Sequence, residues 1–170
     1  MSTAIETLLA RARAAIRVHP DGPRFDGTVG LFVTLRDERG DVRGSVGTTE
    51  PDRPLAELLP SLVREAAQDD PRHPPVSDEE AGTLALELWV LPEPARTVED
   101  PAQIDPTRDA LRVRKGIHSG TLLPDVAAAG GWSATTALAY ACRKAGLSAH
   151  AWREPDTEVR ALLAIRVTAP

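Results

Sequence analysis

Arg43 and Ser45 stand two residues apart in Asp41-Val42-Arg43-Gly44-Ser45-Val46-Gly47-Thr48. A strand sends alternate side chains to the same face, so a guanidinium and a hydroxyl project together here. Gly44 and Gly47 beside them leave room for a second backbone or a ligand. That combination can hold an oxyanion, a phosphate or a carbonyl group. An ordinary hairpin with an exposed arginine is the plainer reading of the same spacing. Thr34, in the apolar run Gly30-Leu31-Phe32-Val33-Thr34-Leu35 before the turn Asp37-Glu38-Arg39-Gly40, adds a hydroxyl that can hydrogen-bond.

Two other stretches carry chemistry-bearing side chains. Leu84, Leu86, Leu88 and Val90 alternate with Ala85, Glu87 and Trp89, a strand pattern with Glu87 on its second face. Buried there, Glu87 can serve as a general base, or more simply as the ion-pair partner of Arg43 or Arg72. In Asp69-Asp70-Pro71-Arg72-His73-Pro74-Pro75, Arg72 can bind a ligand or fix the loop through Asp69 and Asp70. His73 is a candidate base for Ser45, against the reading of an exposed loop residue. Cys142 lies on an apolar helix stripe, where a free cysteine behaves as a small hydrophobe. Arg112, Arg114, Lys115 and His118 form the best local basic patch, or a solvated strand face.

Helices and strands must position these residues. Ile5, Leu8, Leu9, Ala12 and Ile16 define a first helix, with capping-box spacing at Thr3 and Glu6 and with Arg11, Arg13 and Arg17 towards its C-terminal end. It ends before His19-Pro20-Asp21-Gly22-Pro23, and a hairpin over residues 30–48 comes next. Asp52 caps a second helix with Pro54 in its first turn, and Pro60 should kink or split it. Ser77 and Glu80 cap a short turn. Residues 92–106 read as a surface connection, Leu111 and Val113 as a strand, and residues 121–123 as a short strand stopped by Pro124. Ser133 caps a third helix ending at Gly146, with Trp132 and Trp152 packing at its two ends, and residues 161–167 form a last strand. A hairpin mixed with helices, without repeated crossovers, predicts an α+β fold built on a mixed, largely antiparallel sheet with packed helices.

Composition narrows the class. At 170 residues the chain is long enough for one substantial core. Its 42% hydrophobic and 26% charged content is that of a globular protein. No apolar run is long enough to cross a membrane, and the N-terminus lacks the layout of a signal peptide, so a cytoplasmic location is expected. One cysteine excludes an internal disulfide, and four scattered histidines offer no metal-ligand spacing. No cofactor motif is present. A net charge of -5 argues against non-specific grip on nucleic acid.

Taken in order, several motifs resemble the AMMECR1 domain family, which includes AmmeMemoRadiSam system protein A. Residues 30–35 look like its Gly-x-Phe-Val-Thr-Leu strand, and Val42-Arg43-Gly44-Ser45-Val46-Gly47 like its hexapeptide, usually Leu-Arg-Gly-Cys-Ile-Gly. Asp70-Pro71-Arg72-His73-Pro74-Pro75, Leu86-Glu87-Leu88-Trp89-Val90-Leu91 and Gly120-Thr121-Leu122-Leu123-Pro124-Asp125-Val126 match further segments, as do Trp132, residues 142–147 and Ala151-Trp152. The resemblance implies one domain over residues 1–170. Its two closely joined lobes would be a larger one with both termini and a smaller central one, with a cleft lined in part by the hexapeptide. It implies a radical SAM protein and a Memo-like protein as partners, and no settled activity. Ser45 stands where the family usually has cysteine, so a thiol mechanism at the hexapeptide is disfavoured, and His73 replaces a usual phenylalanine. The resulting expectation is a cleft for a small anionic or nucleotide-like ligand. Arg43, Ser45 and Thr34 would contact it and Glu87 would orient Arg43 or act as base, in the service of modifying a nucleic-acid base or another macromolecule. The alternative is a non-catalytic adaptor that binds a segment of a partner protein.

Overall fold

The structure, a computed structural model, describes residues 3–169. The chain forms two compact units, one running to Val90 and resuming at Ile165, the other Leu91–Ala164. The first holds α1 (Thr3–Val18), β1 (Gly30–Arg36), β2 (Val42–Thr48), α2 (Leu55–Arg64), α3 (Asp78–Thr83), β3 (Ala85–Leu91) and β8 (Ile165–Ala169). The second holds β4 (Arg96–Thr97), β5 (Asp109–Lys115), β6 (His118–Leu122), α4 (Pro124–Gly130), α5 (Ala134–Lys144) and β7 (Glu158–Leu163). The expected α+β class is what forms, but the strands divide into two four-stranded sheets, β2-β1-β3-β8 and β4-β7-β5-β6. β1 with β2, β3 with β8, and β5 with both β6 and β7 pair antiparallel, as does β4 with β7.

In the first unit Leu31, Val33, Leu35, Leu86, Leu88, Val90 and Val167 face the apolar stripes of α1 and α2 in one cluster. α1 is already under way at Thr3, so Thr3 is not a flanking cap, and the Ala4 N–H is satisfied instead by Asp78 Oδ1 of α3 at 2.7 Å. Arg11 leaves its own helix end and donates to the Ala81 and Leu84 carbonyls at 2.9 and 2.7 Å, where α3 terminates. The expected Ser77–Glu80 capping box forms.

α2 departs from expectation at both ends. Pro54, not Asp52, occupies its N-cap position, and Asp52 pairs with Arg53. Pro60 does not split the helix, which runs on to Arg64 and continues as a π-helical turn, Glu65–Asp69. A mid-helix proline costs about 3 kcal/mol. Leu55, Leu58, Leu59, Leu62 and Val63 are all buried on this helix, and at about 1.5–3 kcal/mol each their burial outweighs that loss.

In the second unit Leu111, Val113, Leu122, Val159 and Ala161 pack on Ala127, Leu138, Ala141 and Cys142 of α4 and α5. Cys142 is fully buried, and burial pushes its thiol pKa up, as suits a small core side chain. Ser133 caps α5, and Gly146 (φ 75°) follows its end in the left-handed region. Trp132 and Trp152 pack against this core, Trp132 also stacking on Tyr140. Pro124 stops β6 and at once begins α4, a helix that the sequence pattern does not announce. Residues 92–106 contain β4 and a 3-10 turn, Pro101–Gln103, rather than plain connection. The single expected strand over residues 161–167 is two strands that part at Ala164 and join different sheets, because an apolar run carries no mark of the sheet each half will enter.

The π turn presents the Ala66 carbonyl to Gly44 of β2 so closely that a Cβ on residue 44 would lie 1.9 Å from Ala66 O. Only glycine fits there, because the obstacle is backbone. Gly44→Ala is expected to destabilise the protein by about 1–3 kcal/mol, read as a lower denaturant midpoint in urea unfolding. A midpoint unchanged from wild type would show that the two backbones do not meet.

Candidate ligand-binding site

β2 is an edge strand, so the outward N–H and C=O groups of its residues have no neighbouring strand. At Ser45 both are taken by one loop. The Ser45 N–H donates to Asp70 Oδ2 at 3.0 Å, and Arg72 Nη2 donates to the Ser45 carbonyl at 2.7 Å. Arg72 is in turn gripped by Asp70 through Nε at 2.9 Å and Nη2 at 2.6 Å. Since Ser45 turns its backbone outwards, its pairing with Thr34 is of the non-hydrogen-bonded kind, in which side chains approach most closely. Accordingly Thr34 Oγ1 and Ser45 Oγ lie 2.9 Å apart.

Arg43 is the extra residue of a β-bulge, where the β1–β2 register slips between Leu35 and Arg36. Its Nε and Nη2 grip Glu80 at 2.7 and 3.0 Å, and Nη1 and Nη2 donate to the Pro74 and Pro75 carbonyls at 2.6 and 3.3 Å. The acid that Arg43 meets is thus Glu80, not Glu87. The far side of the same loop is tied to the π turn, with Val76 N–H on the Ala67 carbonyl at 2.7 Å and Gln68 Nε2 on the Val76 carbonyl at 2.9 Å. Gly47 makes room for the Phe32 ring, whose Cγ would lie 2.4 Å from a Cβ there. His73 is half-buried in the loop with its N–H on the Asp70 carbonyl, while the Ser45 hydroxyl is bonded to Thr34.

Glu87 is 3% exposed, and its partners are neither Arg43 nor Arg72. Arg166 of β8 donates to Glu87 Oε2 through Nε at 3.0 Å and also through Nη2, and Trp89 Nε1 donates to Oε1 at 2.6 Å. Arg36 Nε stands 3.7 Å from Oε2. A buried carboxylate persists only when so paired. Thr34 and Arg36 alternate along β1, Glu87 and Trp89 along β3, and Arg166 faces Trp89 across β8. These side chains therefore lie on the face of the first sheet opposite its apolar core. Arg36 and Arg166 are not among the residues singled out from sequence. A signal for them exists in the period-two spacing of Thr34 with Arg36, and in the Ile165-Arg166-Val167 alternation.

The basic stretch of the second unit is largely paired, with Lys115 meeting Glu154 and Asp156, and Arg112 meeting Glu158. Two hollows of the first unit, about 520 and 660 Å³, are lined by Asp37, Glu38 and Glu80 in one and by Glu57, Pro60 and Gln68 in the other, and neither includes Ser45 or Glu87. Among the described residues no three His, Cys, Asp or Glu side chains gather as a metal site, and no helix is long and apolar enough to cross a membrane.

The loop clamp has an acid-side signature. Arg72, followed by the Ser45 and Arg72 N–H groups, holds the Asp70 carboxyl well below its ordinary 3.8, against the opposing effect of burial. Arg43 lowers Glu80 from 4.5 in the same way. A carboxylate with a depressed folded pKa stabilises fully above its unfolded value and loses that contribution as pH falls through the folded one. Stability owed to these pairs is therefore constant above about pH 5 and declines below about pH 4. Asp70→Asn is expected to cost about 2–3 kcal/mol at neutral pH and to flatten the decline below pH 4 in urea titrations. An acid limb as steep as that of the wild type would contradict the pairing.

A family model described as AMMECR1 matches residues 1–165. A protein of Thermococcus gammatolerans is 39% identical over 164 residues, covering 92% of this chain and 80% of its own length. Protein PF1979 of Pyrococcus furiosus is 37% identical over 164 residues, covering 92% and 78%. The crystal structure of the uncharacterized protein PH0010 from Pyrococcus horikoshii matches with a TM-score of 0.80 at 33% identity, over 96% of this chain and 88% of that one. With the hexapeptide strand and its Asp-Pro-Arg loop in place, the chain belongs to the AMMECR1 family.

Proposed function

We propose that the polar face of the first sheet binds a small anionic, nucleotide-like ligand. The observation that carries this reading is the Arg166 guanidinium, held on one side by the buried Glu87 carboxylate. Arg166 keeps its side chain 53% exposed while fixed by Glu87, so it is an oriented cation within reach of solvent. The Thr34–Ser45 hydroxyl pair supplies hydrogen bonds on the same face. Glu87 then acts by orienting Arg166, while Arg43, Gly44, Gly47, Arg72 and His73 shape and hold the strand rather than reach the ligand.

Ser45 enters this reading as a hydrogen-bonding group. Its hydroxyl is shared with Thr34, and a serine needs an adjacent base to attack at neutral pH. An AmmeMemoRadiSam setting, with radical SAM and Memo-like partners and a macromolecular target, rests on family resemblance alone. An adaptor that adds a partner strand at Ser45 is disfavoured, because Asp70 and Arg72 already occupy the backbone groups such a strand would use.

A thermal-shift screen against nucleotides, nucleosides, S-adenosylmethionine products and short peptides tests the proposal, since a ligand that binds only the folded state raises the melting temperature. The expected result is stabilisation by an anionic small molecule that is lost in Arg166→Lys and reduced in Ser45→Ala. Stabilisation retained in both variants, or by peptides alone, would overturn it.

A further inference from the structure

Glu87, Trp89 and Arg166 form a chain of contacts across β3 and β8. Trp89 and Arg166 are directly opposed in the register of the two strands, so their side chains leave the sheet on the same face. Glu87 stands two residues before Trp89 and shares that face. Arg166 reaches it on the diagonal, with its guanidinium carbon 5.8 Å from the centre of the Trp89 ring.

A buried carboxylate needs donors on both oxygens, and here the two are divided between two partners. Oε1 of Glu87 accepts from the Trp89 indole N–H at 2.6 Å, while Oε2 accepts from Arg166 Nε at 3.0 Å and from Nη2. The last torsion of a glutamate is soft, so a carboxylate without the indole is free to turn and to take the guanidinium with it. Trp89 is 5% exposed, and its N–H points in one direction. The tryptophan thus fixes the acid, and the acid fixes the arginine.

A guanidinium is a planar fork with two usable edges. Glu87 holds the edge made by Nε and Nη2. The other edge, made by Nη1 and the second Nη2 hydrogen, has no hydrogen-bond partner among the described residues. We propose that Arg166 receives an oxyanion along this second edge, and that Trp89 is the positioning residue that aims it. The assignment rests on the ligand site proposed for the first sheet, and it adds which donors meet the ligand and what sets their direction. A carboxylate or phosphate presents two oxygens to such a fork. A spherical anion does not, so the edge selects by shape as well as by charge.

Calorimetric titration with inorganic phosphate, a nucleoside monophosphate, acetate and chloride tests this on wild type, Arg166→Lys, Trp89→Phe and Trp89→His. The titrations are run at pH 8, where a histidine of ordinary pKa is neutral. Wild type is expected to bind an oxyanion in preference to chloride, and Arg166→Lys to lose that binding. Tighter binding of phosphate than of acetate identifies a phosphate group, and the reverse a carboxylate. Trp89→Phe keeps a ring but loses the N–H, and is expected to weaken binding about tenfold. The five-membered rings of indole and imidazole superpose, so Nε2 of Trp89→His can donate in place of the indole, and this variant is expected to bind more tightly than Trp89→Phe. A merely packing role predicts the opposite order. In ligand-free protein the Arg166 Nε–H, identified in NMR spectra by its absence from Arg166→Lys, is expected to resist solvent exchange in wild type and to lose that protection in Trp89→Phe. No anion binding in wild type would overturn the ligand site and this inference with it. Oxyanion binding that needs Arg166 but is undiminished in Trp89→Phe, or is weaker in Trp89→His than in Trp89→Phe, would overturn this inference alone. So would chloride binding as tight as that of the oxyanions, or an Nε–H equally protected in Trp89→Phe.

Discussion

The hexapeptide strand lies at the edge of its sheet, and the outward N–H and C=O of Ser45 need partners that no strand supplies. Asp70 and Arg72 provide both, and because they also bind one another they act as a rigid substitute for a strand. Much of the first unit depends on this. The loop bearing the pair must lie alongside β2, so its two ends are anchored, at the π turn through Ala67 and Gln68 and at α3 through Glu80. The π turn in turn presses on β2 at the one residue without a side chain, Gly44. Each of these contacts is weak singly. Together they fix the direction in which the Ser45 hydroxyl points.

The same constraint separates residues that hold the strand from those that the proposed ligand would meet. Arg43 and Arg72 have the chemistry of anion binders, but their donors are directed at Glu80, Asp70 and backbone carbonyls. Prolines at 74 and 75 contribute here, since an extended proline segment has carbonyls to offer and no N–H groups of its own. Arg166 instead keeps its side chain 53% exposed while a buried carboxylate holds it in place. A buried acid that orients an exposed base is a common device in binding sites. It removes side-chain freedom before the ligand arrives.

Ser45, where the resemblance to the family implies a cysteine, fits this arrangement. The neighbouring Thr34 hydroxyl accepts or donates at 2.9 Å across a non-hydrogen-bonded pair. A serine is satisfied by such a partner, whereas a thiol is a weak donor and acceptor. The site proposed for this chain is accordingly one of hydrogen bonds and charge.

Local pattern in the sequence was enough to determine the long amphipathic helices, the hairpin over residues 30–48, the Ser77 and Ser133 caps, the left-handed residue at Gly146 and the α+β class. Each of these is set by neighbours a few positions away, through periodicity, capping chemistry or φ preference. The motifs also marked residues that meet in space, since Asp70, Arg72 and Ser45 proved to be in one network and Arg43 to hold the same loop at Pro74 and Glu80. What they could not assign was partnership. Glu87 with Arg166 is a contact across 79 positions and Arg43 with Glu80 one across 37, and a carboxylate's choice among several arginines depends on strand order and register. The division of the last strand between two sheets and the passage of α2 through Pro60 were likewise settled only by tertiary packing. There the burial of whole faces and the alignment of strands outweigh any preference a residue expresses by itself.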